Sequence, residues 1–337
     1  MRWYRALIPP FVPAPSFGAL FGTLGLRSSA TLAFGFLALP LFLHARGMDF
    51  YVSMLSRMMI YGIAACSLNL ILGYGGLVSF GHAAFVGIGA YTVGILITEG
   101  HTNGWTGFAI AMGLSALVAG IIGAISLRTR GVYFIMITLA FAQMIYYLVN
   151  SIKAYGGDEG LNIKQRSDFG LGLDLKNDVT FYFVVLLVLV VTLVLISRIM
   201  HSRFGRVILA IRDDDVRVDA IGFPSYRYKW VLFVIAGTLG GLAGALMVNH
   251  QNYVSPNLMH WTQSGILMVM VILGGVGTLT GGLWGALVLL ILEDVLAEYT
   301  LHWQFYVGWF LLAVVLLAPK GLAGLIRRKA ANVGEKA

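Results

Sequence analysis

The chain has 337 residues, 58% of them hydrophobic and 11% charged, with 42 glycines and a formal net charge of +8. With glycine counted it is about 70% apolar, where a soluble domain is roughly 45–50% apolar and 25% charged. Too few charged side chains remain to cover that surface, which excludes a soluble enzyme, a disordered chain and a nucleic-acid binder. The single Cys66 lies in an apolar run, so a disulfide scaffold is excluded and a small packed hydrophobe is expected.

Residues 1–27 carry Arg2, Arg5 and Arg27 and are interrupted by Pro9, Pro10, Pro13 and Pro15. They predict an uncleaved cytoplasmic N-terminal arm rather than a secretory signal. A membrane helix needs about 20 mostly apolar residues. Eight runs qualify: Ser28–Leu43, Tyr51–Leu72, Phe80–Ile97, Trp105–Leu127, Val132–Val149, Val179–Ile196, Trp230–Val248 and Gln304–Ala318. The stretch Thr262–Leu292 is too long for one span and is interrupted by Gly274, Gly275, Gly277, Gly281 and Gly282.

Charge decides how that stretch is divided, because Lys and Arg collect on cytoplasmic loops. The loop 198–229 holds Arg198, Arg203, Arg206, Arg212, Arg217, Arg227 and Lys229, and the tail 319–337 is also basic. If both are inside, an even number of crossings separates them. The stretch is then broken at Gly274–Gly282, with that loop inside. The prediction is an all-α polytopic membrane protein of about ten transmembrane helices over 28–318, both termini cytoplasmic. Of the 23 basic residues, 17 fall inside, 5 outside, and Arg57 within a span.

Small residues recur at four-residue spacing: Gly237/Gly241, Gly240/Gly244, Gly281/Gly285, Ala116/Gly120/Ala124 and Ala83/Gly87. Such spacing lets helices approach closely in lipid. It reads as packing within one bundle, with a surface for a partner subunit as the alternative. The segment Asn69–Tyr91 is dense in glycine and hydroxyls. It fits a cytoplasmic turn leading into a helix whose Gly-rich start faces the interior; a break buried at membrane depth is the other reading.

Polar side chains at membrane depth are candidates for a translocation path. Here they are Arg57, Asn69, Ser79, His82, Thr138 and Gln143. Arg57 either snorkels or meets an internal partner or wet cavity. Asn69, Gln143 and Asn150 also suit interhelical glue, and His82 a packed or capping role. No His, Cys or carboxylate set has metal-ligand spacing. No phosphate-binding Gly-x-x-x-x-Gly-Lys-Ser/Thr loop occurs, and no Asp/Glu/His run resembles a proton relay. The chain is therefore read as non-enzymatic, with no cofactor of its own.

The segment Ser202–Pro224 mixes exposed-side charges with Val207, Leu209, Ala210, Ile211, Val216, Ala220 and Ile221. It predicts two short helices meeting near Asp213–Asp215, stopped by Gly222 and Pro224. A lipid-surface helix would place its four aspartates against an anionic surface, so a docking element for a cytoplasmic protein is the better reading.

These motifs together resemble the LivM-type permeases of bacterial branched-chain amino acid ABC importers. The resemblance rests on Asn69–Tyr91, Arg128–Gln143, Gly156–Leu161, Gly205–Gly222, Ser264–Ala286 and Pro319–Leu325, in family order across nearly the whole chain. It implies an ABC importer permease bundle in the bacterial plasma (inner) membrane, multi-pass, embedded in the lipid bilayer and without nucleic acid. It implies a LivH-type permease as partner, LivG- and LivF-type ATPases carrying ATP and Mg, and an extracytoplasmic amino-acid-binding protein. ATPase coupling would fall on Arg203, Gly205, Arg206, Ala210, Arg212, Asp213, Asp214, Asp215, Arg217, Asp219, Ala220 and Gly222. Asp219-Ala-Ile-Gly222 fits the family form, whereas Asp213-Asp-Asp215 departs from the commoner Asp-Asn-Glu. Gly157, Asp158 and Glu159 in the outer loop are candidates for touching the binding protein, with a solvated turn as the alternative. A urea or short-amide permease is the rival within the class, and a stand-alone secondary transporter the rival outside it.

Overall fold

The computed structural model describes residues 39–170, 175, 177–300, 302–317 and 321. The predicted arm 1–27, most of the predicted span Ser28–Leu43 and, apart from Gly321, the tail 319–337 lie outside the described residues.

The described helices are α1 (Asp49–Asn69), extended by a π-helical turn (Leu70–Tyr74), α2 (His82–Thr98), α3 (Gly104–Ser126) and α4 (Val132–Ser151). They continue with α5 (Asp178–His201), α6 (Arg203–Asp213), α7 (Asp215–Ala220), α8 (Ser225–Gln251), α9 (Trp261–Gly274), α10 (Gly281–Tyr299) and α11 (Trp303–Leu317). Every apolar run predicted beyond residue 50 is helical. Five are long and apolar enough to cross a membrane: α1 with its π turn, α3, α4, α5 and α8. The shorter apolar helices include α2 and α9.

The long apolar stretch is divided at the predicted glycines, between the end of α9 at Gly274 and the start of α10 at Gly281. Gly275 (φ 119°) and Gly277 (φ 74°) turn the chain there, a conformation in which a β-carbon is costly. Among the described residues, extended pairing is limited to a two-residue antiparallel ladder of β1 (Leu161–Asn162) with β2 (Tyr253–Val254) and a single parallel bridge between Asn103 and Asp168.

Local signals place the helix starts. Asn103 Oδ1 accepts from Trp105 N–H at 3.0 Å and Asn177 Oδ1 from Val179 N–H at 2.9 Å, capping α3 and α5. Asn252, in a left-handed conformation, ends α8.

α1, α2 and α8 form the centre, with most of α2 buried as well. In their most apolar windows α1 is 78% buried and α8 72%, against 28% for α3 and 22% for α4. The glycines of α8 make this possible. A β-carbon on Gly237 would collide with Ala119 of α3, and one on Gly244 with the Val86 carbonyl of α2. These stripes therefore serve packing within the bundle. On α3 the packed face is Ala111, Ser115, Ala119 and Gly123, one residue out of register from the expected Ala116/Gly120/Ala124, which lies on its flank.

The connections sort into two ends. At one end Asp168 N–H donates to the Thr102 carbonyl (2.7 Å), Ile163 N–H to the Asn252 carbonyl (2.9 Å), and β1 meets β2. At the other, Tyr226 Oη donates to the Ala124 carbonyl (2.8 Å), and Arg130 pairs with Asp215 (3.5 Å). Residues 75–81 also lie at this second end. They are non-helical, with Gly75, Ser79 and Gly81 buried and the rest half-buried, so the turn expected between α1 and α2 is present and packs closely against the bundle.

Candidate functional site

The two short helices α6 and α7 are held as a bracket. Ser202 Oγ accepts from Gly205 N–H (3.4 Å) and starts α6. Gly205, Ile208 and Ile211 are buried on one face. Asp214 leaves the helix with φ −160° and ψ 100° and caps α7, accepting from Arg217 N–H at 3.1 Å. Gly222 (φ 93°) ends the bracket ahead of Pro224 and α8.

The aspartates have divided tasks. Asp215 turns inward to Lys229 (2.9 Å) and Arg130 (3.5 Å). Asp219 accepts from Ser225 N–H (2.9 Å) and from the Ser225 hydroxyl. Those bonds, the hydroxyl first, hold its carboxyl below the usual carboxylate range, with Lys229 and Arg130 adding to the effect. Asp213 remains exposed, and Asp214 faces Arg217 at 3.5 Å.

What points outward is mixed. Arg203, Arg206, Ala210, Asp213, Arg217, Ala220 and Gly222 are exposed. Val216 is 62% exposed and Ile221 69%, with Phe223 beside them. Apolar side chains presented among charges on a rigid bracket suit a protein partner, since burying them there is favourable. Arg212 does not belong to this face. Its side chain is only 12% exposed, and its Nη1 donates to the Gly73 carbonyl at 3.1 Å.

The polar residues of the spans are scattered. Arg57 does have an internal partner: its Nη2 lies 2.6 and 2.7 Å from the two Asp294 oxygens. Asn69 is a staple, donating to the Thr278 carbonyl (2.7 Å) and accepting from Gly277 N–H (2.9 Å). Ser79, His82 and Thr138 are brought together around the start of α2. Gly81 N–H donates to Ser79 Oγ (3.2 Å), Phe80 N–H to Thr138 Oγ1 (3.3 Å), and His82 Nε2 lies 2.7 Å from Ser67 Oγ. Gln143 is half-buried, and its Oε1 is buried without a partner.

None of these six lines the cleft between α1, α2, α8 and α9. Ile60, Val86, Met247 and Leu267 form its apolar walls, with Tyr61 and Gln263 as its polar side chains. Gln263 and Asp294 were passed over in the sequence. The signal for both was a polar residue interrupting an apolar run.

In the outer loop Gly157 is buried, while Asp158 and Glu159 are exposed. The loop is tied down: Tyr253 Oη donates to the Glu159 carbonyl (2.7 Å), and Tyr155 Oη to Glu99 Oε1 (2.7 Å). The Glu99 carboxylate beside it raises the Tyr155 pKa, because the neutral phenol is the donor.

Comparison with known proteins gives the family. Residues 50–319 match the family described as branched-chain amino acid transport system / permease component. The chain is 29% identical over 293 residues to the high-affinity branched-chain amino acid transport system permease protein LivM of Escherichia coli (strain K12), covering 80% of this chain and 69% of that protein. It is 25% identical over 286 residues to a probable LivM of Methanocaldococcus jannaschii, covering 74% and 82%. Similarity extends to LivH of Escherichia coli (strain K12), 23% identical over 285 residues, covering 78% and 91%. No solved structure matches the chain.

Proposed function

The chain belongs to the family of branched-chain amino acid transport system permease components, and on that premise we propose that it is one membrane half of an ATP-driven importer for branched-chain amino acids. A LivH-type permease forms the other half. LivG- and LivF-type ATPases bind ATP and Mg beneath it, and an extracytoplasmic binding protein delivers substrate. The membrane is the bacterial plasma membrane, crossed by about ten helices with both termini inside. The chain itself catalyses no reaction. It alternates between outward- and inward-facing states whose populations shift with nucleotide on the ATPases.

One observation carries the reading beyond family membership. The bracket α6–α7 presents Val216, Ile221 and Phe223 outward with Asp213 and Arg217, at the bundle end that also carries Arg128 and Arg130. That surface fits an ATPase groove. Residues 157–159 cap the opposite end, where the binding protein would dock.

The test is purification of the tagged chain from its own membrane in mild detergent, followed by reconstitution into liposomes. Co-purifying permease and ATPase chains, with ATP-driven uptake of leucine, isoleucine or valine once the binding protein is added, is the expected result. Uptake without nucleotide or partner chains would overturn the importer reading. Uptake of urea in place of these amino acids would reassign the substrate.

A further inference from the structure

Three segments meet at the inward end of α6. The first is Arg212, one turn beyond Ile208 and on the same buried face. The second is the π-helical turn and the joint that follow α1. The third is the glycine loop between α9 and α10. Arg212 Nη1 donates to the Gly73 carbonyl at 3.1 Å. That carbonyl lies in the π-helical turn, where the chain leaves the helix, so a side-chain donor supplies what the helix no longer does.

The stem of Arg212 is seated as closely as its head. Gly76 has φ 68°, and a β-carbon there would lie 2.8 Å from Arg212 Cγ. Gly277 of the second loop has φ 74°, and a β-carbon there would lie 3.4 Å from the Gly73 oxygen and 3.8 Å from Arg212 Nη1. Asn69 then binds that loop to α1 from both sides, through Gly277 N–H and the Thr278 carbonyl. The guanidinium is thus enclosed by backbone of both joints. Its one carboxylate neighbour is Asp213 at 3.6 Å, on its own helix, and its Nε is buried without a partner.

We propose that Arg212 is a positioning residue that relays movement of the docking bracket to both joints at once, the one between α1 and α2 and the one between α9 and α10. This rests on the reading of α6–α7 as the ATPase-docking element. Arg203, Arg206 and Arg217 stay outside for the partner, whereas Arg212 grips the permease itself. Joints between helices are where a bundle can change shape without unwinding whole helices. A charged donor on a carbonyl of one joint, packed beside the other, gives the bracket a rigid hold on the pair.

The test uses the whole assembly with its partner chains, comparing wild type with Arg212→Gln, Arg212→Lys and Gly76→Ala. Hydrogen exchange, read on peptides covering 70–77 and 275–280, reports the link. Uptake per ATP hydrolysed reports the relay. For Arg212→Gln, exchange should rise at both joints while the ATPases stay bound and hydrolyse ATP. Uptake per ATP should fall about tenfold, the scale of one charge-assisted hydrogen bond. Arg212→Lys, which keeps a cationic donor, should recover part of the yield, and Gly76→Ala should act in the direction of Arg212→Gln. Unchanged exchange at both joints would overturn the link. Altered exchange with normal uptake per ATP would overturn the relay. Loss of the ATPases from the Arg212→Gln assembly would assign Arg212 to docking instead. Absence of ATPases from the wild-type assembly would sink the docking reading, and the relay with it, while the exchange result still judged the link.

Discussion

Arg57 and Asp294 show what a single residue can and cannot reveal. A lone arginine within an apolar run is costly in lipid and calls for a partner. The partner is Asp294, met by Arg57 Nη2 at 2.6 Å with each side chain about one-third exposed (32% and 33%). Removing one member leaves the other charge unpaired, which costs 3–5 kcal/mol in a fully buried pair. With this much exposure the expected loss is smaller, about 2 kcal/mol. Asp294→Asn and Arg57→Met should each lower the thermal midpoint of the purified protein in micelles. The double variant Arg57→Met/Asp294→Leu should recover most of the loss. If the double variant is as unstable as the sum of the singles, the pair is not the reason for either residue.

At the scale of elements, the glycine stripes determine which helices touch. α8 runs through the centre because Gly237 and Gly244 let α3 and α2 lie against its backbone. Gly244→Ala drives a methyl into the Val86 carbonyl, and with no flexible side chain to yield there it should cost about 3 kcal/mol, the upper end of overpacking. Gly113→Ala, at an exposed site with nothing within 4 Å of the new carbon, should stay within about 0.5 kcal/mol. Unfolding midpoints of the two variants compare them directly, and equal midpoints would refute the close crossing. The same scale explains the bracket. Its two helices and a joint near Asp213–Asp215 were legible from the charge pattern and the Gly222/Pro224 stop. The inward turn of Arg212 and Asp215 was not, because it depends on Gly73, Arg130 and Lys229, residues far away in the chain.

For the whole molecule, the connections between the described helices sort to two ends. The orientation expected from the positive-inside rule is open to a direct measurement. Cys66 is buried, so an introduced cysteine reports alone. Lys164→Cys and Arg128→Cys are both at exposed positions, on opposite ends. In intact spheroplasts a membrane-impermeant maleimide should label Lys164→Cys, and Arg128→Cys only after permeabilisation. The reverse pattern would invert the topology.

Composition, charge asymmetry and glycine punctuation determined by themselves that this chain is a helical membrane protein. They also placed its apolar helices beyond residue 50, down to the break between Gly274 and Gly281. Those are properties of chain segments, written in local runs. They could not say which helices lie at the centre. Lipid and protein interior are equally apolar, so the buried α1 and the exposed α4 carry the same signal. Nor could they pair Arg57 with Asp294, place Gln263 at a cleft, or turn Arg212 onto the Gly73 carbonyl. Those depend on long-range contacts, which only the packed tertiary structure decides.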